Sequence, residues 1–283
     1  MDVMNKQADP DTIAERFSTE GYAFPVDVMT AQEAAAYRSR IEALEAGPIG
    51  YGPEAQRLYR FKPYLLFKWA AELVRHRAVL KAVEQIAGPD IMVWAAGLFI
   101  KEPHDPTEIR WHQDGYHMDL SSNEEAVRAW IALTETTVAN GTMSFVPGSQ
   151  LGGFIKHDED DASRHIALRG EHIPEPPGLD RSVPVCLSPG QMSLHHIRTV
   201  HGSPGNTTGQ RRMTLAVTYI PTHVKPLSGR DTATLVQGVD RYGHWIGEPA
   251  VPEEEYDTAC EEEHRKSMEI RFAAYHGTAM PHA

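Results

Sequence analysis

The sequence predicts a mainly β domain with flanking helices, and three observations predict it. From Ile91 to Ile220 the chain consists of short apolar runs separated by Gly, Pro and Asn, the signature of a sandwich or barrel. The third of the chain before Ile91 reads as helix, and Pro252 to Tyr275 reads as one more helix. With 283 residues, 41% of them hydrophobic, the chain is long enough to bury a sizeable core. Residues 1–283 are expected to form a single domain, with a helical flank over 1–90, a β core over 91–221 and a C-terminal extension over 222–283.

Each element has a local reason. Thr30 is placed to cap a helix whose body is Ala34 to Ala46, with Glu33 three residues on as the reciprocal partner of a capping box. A second helix is expected over Leu65 to Ile86, ending near Gly88-Pro89, and these helices should pack on one face of the sheet. Strands are expected over Ile91 to Ile100, Ala126 to Thr134, Met143 to Val146, Val183 to Leu187, Met192 to His196 and Arg212 to Ile220. In the last of these Met213, Leu215, Val217 and Tyr219 alternate with Thr214, Ala216 and Thr218, the period of a strand. Gly152 to Asp180 is polar, charged and weakly patterned, a long connection that suits either a lid over a site or a plain surface loop. Pro252 is tolerated in the first turn of the last helix.

Composition narrows the class. A formal net charge of −12 argues against nucleic acid as a partner, because phosphate contacts need clustered Lys and Arg. The runs Glu253 to Glu255 and Glu261 to Glu263 read as solvated helix faces. No run of 18 apolar residues occurs, and Met1 to Thr12 lacks a basic region leading into an apolar stretch, so no membrane association and a soluble, cytoplasmic protein are expected. Cys186 and Cys260 are too few for a disulfide framework and read as reduced thiols. Nothing in the pattern speaks to oligomeric state.

The chemistry-bearing phrase is Trp111-His112-Gln113-Asp114-Gly115, followed 89 residues after His112 by His201-Gly202-Ser203 and then by Arg211-Arg212. Two imidazoles and one carboxylate fill three facial positions around an octahedral iron(II) and leave the others open. On an extended backbone His112 and Asp114 point the same way and Gln113 away. His201 would be the distant third ligand, returned by a barrel or sandwich. An arginine at the head of the Met213 to Ile220 strand suits the far carboxylate of a dicarboxylic keto acid, since its planar fork donates two parallel bonds. Strand alternation allows only one of Arg211 and Arg212 to face inward.

These blocks, together with Ala129-Trp130-Ile131-Ala132-Leu133, Asn140-Gly141 and Pro147-Gly148-Ser149, resemble the phytanoyl-CoA dioxygenase family of Fe(II)/2-oxoglutarate-dependent oxygenases, over roughly Ile91 to Pro221. The resemblance implies a double-stranded β-helix core, a cupin-like jelly roll. It further implies His112, Asp114 and His201 as iron ligands, Arg212 as the anchor of the 2-oxoglutarate cosubstrate, Trp130 packed beside the keto acid and Ser203 bonded to its distal carboxylate. One departure is Gln150, where the family often has a histidine after Pro-Gly-Ser. The carboxylate of Asp114 points to hydroxylation; halogenating members carry a small residue there.

The implied reaction couples O2 and 2-oxoglutarate to hydroxylation of a small polar metabolite, such as an amino acid or phosphonate, releasing succinate and CO2. Lys101, on the strand before the motif, and Tyr116 and His117, just after it, are candidates for substrate contact; an exposed lysine on an edge strand is the plainer reading of Lys101. Of the adjacent His195 and His196, alternation puts one inward. The alternatives are a cupin-like metal enzyme without a keto acid, a zinc hydrolase, and a non-catalytic small-molecule-binding protein on the same scaffold. The first gives no reason for Arg212.

Overall fold

The computed structural model describes residues 12–52, 58–158, 172–227, 229–249 and 251–276. Most of Met1 to Thr12 and the centre of the Gly152 to Asp180 connection therefore lie outside the described residues. Among those described, two sheets face each other across a cavity. The larger joins β1 (Tyr22–Asp27), β2 (Ile91–Lys101), β4 (Val127–Ala132), β7 (Gln191–His196), β9 (Arg212–Pro221), β10 (Thr232–Gln237) and β11 (Ile246–Gly247) in the order β1-β7-β4-β9-β2-β10-β11. The smaller joins β3 (Ile109–His112), β5 (Ser144–Phe145), β6 (Val183–Pro184) and β8 (His201–Ser203) in the order β3-β8-β5-β6. Every pairing is antiparallel except β10 with β11. This is the expected double-stranded β-helix, with the helices that precede Ile91 packed on one side.

Strand β9 shows how the sequence builds it. All ten of its residues are buried, because both faces of the sheet are covered. Met213, Leu215, Val217 and Tyr219 join the helix-side core with Ala129, Ile131, Trp69 and Val83, while Arg212, Thr214, Ala216 and Thr218 face the smaller sheet. One face thus supplies stability and the other supplies the site.

The capping box predicted for α2 (Ala31–Ala46) is present, with Thr30 Oγ1 accepting from Glu33 N at 3.2 Å and Glu33 accepting from Thr30 N at 2.7 Å. A similar box of Thr12 and Glu15 starts α1 (Ile13–Glu20). The single helix expected over Leu65 to Ile86 is instead a 3-10 turn (Pro63–Leu65), α3 (Lys68–Leu73) and α4 (Arg77–Ala87). The Tyr219 hydroxyl donates to the Val74 carbonyl at 3.0 Å, and the break at Val74 to His76 lets α4 bury Val79, Leu80, Val83 and Ala87. The last helix, α5 (Glu261–His276), starts nine residues later than Pro252, after a 3-10 turn (Thr258–Cys260) capped by Asp257. Glu253 to Glu255 are consequently not a helix face, and Glu255 pairs with Arg40 at 2.7 Å.

The sheet also outgrows the expected 91–221 core. β1 lies in the segment read as helical, and β10 and β11 lie in the C-terminal extension. That extension is fastened by Glu248, whose side chain is fully buried and accepts from Lys62, Tyr64 (2.8 Å), Thr234 (2.6 Å) and Ser267 of α5 (3.0 Å). No helix among the described residues is long and apolar enough to cross a membrane.

Candidate active site

His112 ends β3, and Asp114 opens a short 3-10 turn (Asp114–His117). Gln113 between them is extended, with φ −122 and ψ 118, so the alternation of a strand continues one residue past its end. The two side chains on either side of it point into the cavity. Gln113 points away and is buried, its amide donating to the carbonyls of Gly153 (2.8 Å) and Arg198 (2.7 Å) and accepting from Ile155 N (2.8 Å). His201 begins β8 directly opposite His112 in the ladder, and the two rings lie 4.2 Å apart. A cross-strand neighbour thus supplies the third group, which is why the third histidine can be remote in sequence.

Ligand atoms of His112, Asp114 and His201 all lie within 4.8 Å of one another, a spacing that suits one metal ion. The histidines are presented in the correct form. Nδ1 of His112 bonds to the Arg110 carbonyl at 2.8 Å and Nδ1 of His201 to the Thr199 carbonyl at 2.9 Å. A carbonyl only accepts, so each Nδ1 carries the proton and each Nε2 offers its lone pair inward. Burial, then the proximity of His112, holds His201 well below its ordinary pKa, hence neutral. Burial opposes ionisation of Asp114, but its neighbours, Arg128 foremost, outweigh it and keep the carboxyl well below the usual carboxylate range. Its Oδ2 is buried without a hydrogen bond, with Arg128 Nε and His195 Nε2 each at 3.5 Å and His201 Nε2 at 3.7 Å. The donor set therefore fits a divalent metal on its own evidence: two aligned imidazole lone pairs and an orphaned carboxylate oxygen.

Arg212 opens β9 on the cavity face. It is 1% exposed, its Cζ stands 5.4 Å from the centre of the Trp130 ring, and Nε and Nη2 have no hydrogen-bond partner. Burial lowers its pKa to about 10. Arg211 points the other way, where it grips both oxygens of buried Glu45 (2.6 and 2.7 Å) and reaches Glu102 at 3.0 Å. Trp130 and Ser203 both line the cavity; the Ser203 hydroxyl donates to the Gly141 carbonyl at 2.8 Å. Gln150, at the departure from the family pattern, donates to the Ser18 carbonyl at 2.9 Å.

The substrate-contact candidates fare differently. Lys101 is fully buried on a strand with neighbours on both sides, not exposed on an edge. It stands opposite Arg212 in the ladder, donates to the carbonyls of Ser203 (3.3 Å) and Pro204, and lies outside the cavity lining. Burial, with Arg212 adding to it, lowers its pKa to about 7. The Tyr116 ring stacks on His157 at 4.1 Å instead of lining the cavity. The His117 side chain lies outside the described residues.

The cavity holds about 210 Å³. Its walls include residues the sequence reading passed over, notably Arg60, Lys62, Arg128, His157 and, from α5, Arg271. His195 is the inward member of its pair, its ring 5.0 Å from that of His201. A signal for Arg128 was available, because it precedes Trp130 by two residues on a strand and so shares its face.

The sequence pattern of the Phytanoyl-CoA dioxygenase (PhyH) family matches residues 17–214. The chain belongs to the phytanoyl-CoA dioxygenase family. It is accordingly an Fe(II)- and 2-oxoglutarate-dependent dioxygenase by class. A probable alpha-ketoglutarate-dependent hypophosphite dioxygenase of Stutzerimonas stutzeri is 26% identical over 230 residues, covering 74% of this chain and 78% of that protein. The L-proline trans-4-hydroxylase of Streptomyces griseoviridis is 29% identical, over 59% of this chain and 71% of its own length. Among solved structures, the apo form of the non-heme monooxygenase ThoJ is 34% identical, covers 94% of this chain and 98% of its own, and superposes with a TM-score of 0.82.

Proposed function

We propose that His112, Asp114 and His201 hold the iron, that Arg212 takes the distal carboxylate of 2-oxoglutarate with Trp130 alongside, and that the chain hydroxylates a small polar metabolite. The observation that carries this is the pairing, in one cavity, of three convergent metal-binding atoms with a buried guanidinium two of whose nitrogens lack a partner. A cupin-like metal enzyme without a keto acid, or a binding protein, leaves that guanidinium unexplained. When bound, iron(II) supplies the redox chemistry that couples O2 and keto acid decarboxylation to oxidation of a C–H bond.

The chain's own residues provide the setting. Arg110 O and Thr199 O orient the two imidazoles, and Arg128 keeps Asp114 ionised. Trp130 fixes the plane along which the Arg212 fork approaches a carboxylate. Ser203 serves the same carboxylate once its hydroxyl turns from the Gly141 carbonyl. A cavity of about 210 Å³, below the usual pocket range of about 300–1,000 Å³, must also admit the keto acid, which favours a small substrate. Relatives named for hypophosphite and proline agree with that size and polarity.

The test is anaerobic titration of iron(II) and 2-oxoglutarate into metal-free protein, reading the weak visible charge-transfer band of the chelate, followed by air and a succinate assay over small metabolites. A band that is lost in Asp114→Ala and Arg212→Ala is expected. No band at saturating iron would remove this reading.

A further inference from the structure

We infer that the primary substrate is an anion, a small carboxylate or phosphonate whose charged group is held by Arg60 and Arg128 at the end of the sheet face opposite Arg212. The inference rests on the placement of 2-oxoglutarate proposed above.

The ladder separates the two cationic ends. In β9, Arg212 stands opposite Lys101 of β2, while Thr218, six residues on along the same face, stands opposite Arg128 of β4. At a rise of about 3.3 Å per residue their backbones are roughly 20 Å apart. Trp130, paired with Ala216, lies between them, and the metal triad faces the Arg128 end, with Asp114 at 3.5 Å from Arg128. A keto acid chelated at the triad and anchored on Arg212 extends away from Arg128, so it leaves that end to another ligand.

The Arg128 end is built to carry charge. Arg128 donates to Thr218 at 2.7 Å, and its one carboxylate neighbour among the described residues is Asp114. Asp114, with the keto acid dianion and Arg212, already balances the charge of iron(II). Arg60 brings a second cation, its guanidinium 4.4 Å over the Phe99 ring. Its position is specified by the backbone: Lys62 N donates to Ala96 O at 3.0 Å, and a Cβ on Gly97 would sit 2.6 Å from the Arg60 carbonyl, so only glycine lets this segment lie on the sheet. Arg271 closes the same side from α5, 4.5 Å over Trp94. Its buried Nη1 makes no hydrogen bond, the nearest carboxylate being Asp231 at 3.6 Å, which already accepts from Trp94 and Thr232. Burial, then Arg128, lowers the pKa of Arg60 to about 10, which places the two guanidinia within electrostatic reach of each other. In a chain of net charge −12, arginines gathered inside a cavity are a local feature, not one of composition.

The experiment uses anaerobic holoenzyme saturated with iron(II) and 2-oxoglutarate, titrated with methylphosphonate, propionate and the neutral isostere propionamide, with binding read by calorimetry and by displacement of the charge-transfer band. Both anions should bind at least tenfold more tightly than propionamide. Arg60→Gln should weaken the anions at least tenfold and Arg60→Lys by less, with half-saturation by 2-oxoglutarate unchanged within twofold; Arg271→Gln, on the same side of the cavity, should also weaken the anions. Anion binding that is equal in Arg60→Gln, or matched by propionamide, or competitive with 2-oxoglutarate, overturns the anion site while an intact band leaves the iron and keto acid placement standing. Absence of the band in the unsubstituted protein overturns both.

Discussion

Replacing Arg212 by methionine should move two measurements in opposite directions. The guanidinium is 1% exposed, and its Nε and Nη2 have no hydrogen-bond partner. Each buried unmade bond costs about 1–3 kcal/mol, whereas contact with the Trp130 ring at 5.4 Å returns about 0.5–2 kcal/mol. The unpaired donors dominate, so the keto-acid-free variant should be more stable than the parent by roughly 1–3 kcal/mol in urea unfolding. Binding should change the other way. Two charge-assisted bonds of about 1.5–3 kcal/mol each are lost, which raises the Kd for 2-oxoglutarate by about 10²- to 10⁴-fold. Charge-transfer titration measures the second quantity and equilibrium unfolding the first. A variant that binds 2-oxoglutarate within tenfold of the parent would refute the assignment, and so would the same loss of affinity in Arg211→Met. That second substitution should instead lower stability by up to about 3 kcal/mol, since it strands buried Glu45.

Further outcomes follow from other contacts. His112→Ala should stay folded yet fail to bind iron(II) at stoichiometric concentration, checked by circular dichroism and metal analysis. Gln113→Ala removes the hydrogen bonds that tie residues 153 and 155 to the metal strand and should reduce unfolding free energy by about 1–3 kcal/mol, with faster proteolysis near Gly153. Lys62→Met leaves the buried Glu248 carboxylate without its cation and should cost about 3–5 kcal/mol, with lower hydrogen-exchange protection in α5. Lys101 has its pKa lowered to about 7 by burial and Arg212. Between that value and the unfolded value near 10.4 the unfolded chain binds more protons, so metal-free stability should rise with pH across this window. Lys101→Met should flatten that rise; an unchanged slope would show that another group titrates.

The strands of the larger sheet were legible where one face is apolar and the other is not, as with Met213 to Ile220. The break at Val74 to His76 was not, since no Gly or Pro marks it and its cause is a hydroxyl 145 residues away. β1 was hidden by Pro25 within a short run, and β10 because only its first half is buried. The proposed metal triad was legible as a cluster because His112 and Asp114 are local and an extended Gln113 suffices to align them. The arginine choice was left open by sequence, since adjacent residues of one type carry no label for which face they take; Glu45 and Glu102 supply it. Of the far wall only Arg128 was legible, through the face it shares with Trp130; Arg60 and Arg271 come from two unrelated segments and join it only after the helices pack.

The origin of that wall bears on how a substrate range can change. The stretch shared with the phytanoyl-CoA dioxygenase family ends at residue 214, whereas Met268 and Arg271, on α5, line the cavity. Every residue proposed to hold iron or keto acid lies within that stretch, and part of the cavity wall comes from beyond it. Exchange of the C-terminal segment between relatives is thus a route to new selectivity that leaves the proposed iron-binding residues untouched, provided the graft retains a partner for the buried Lys62.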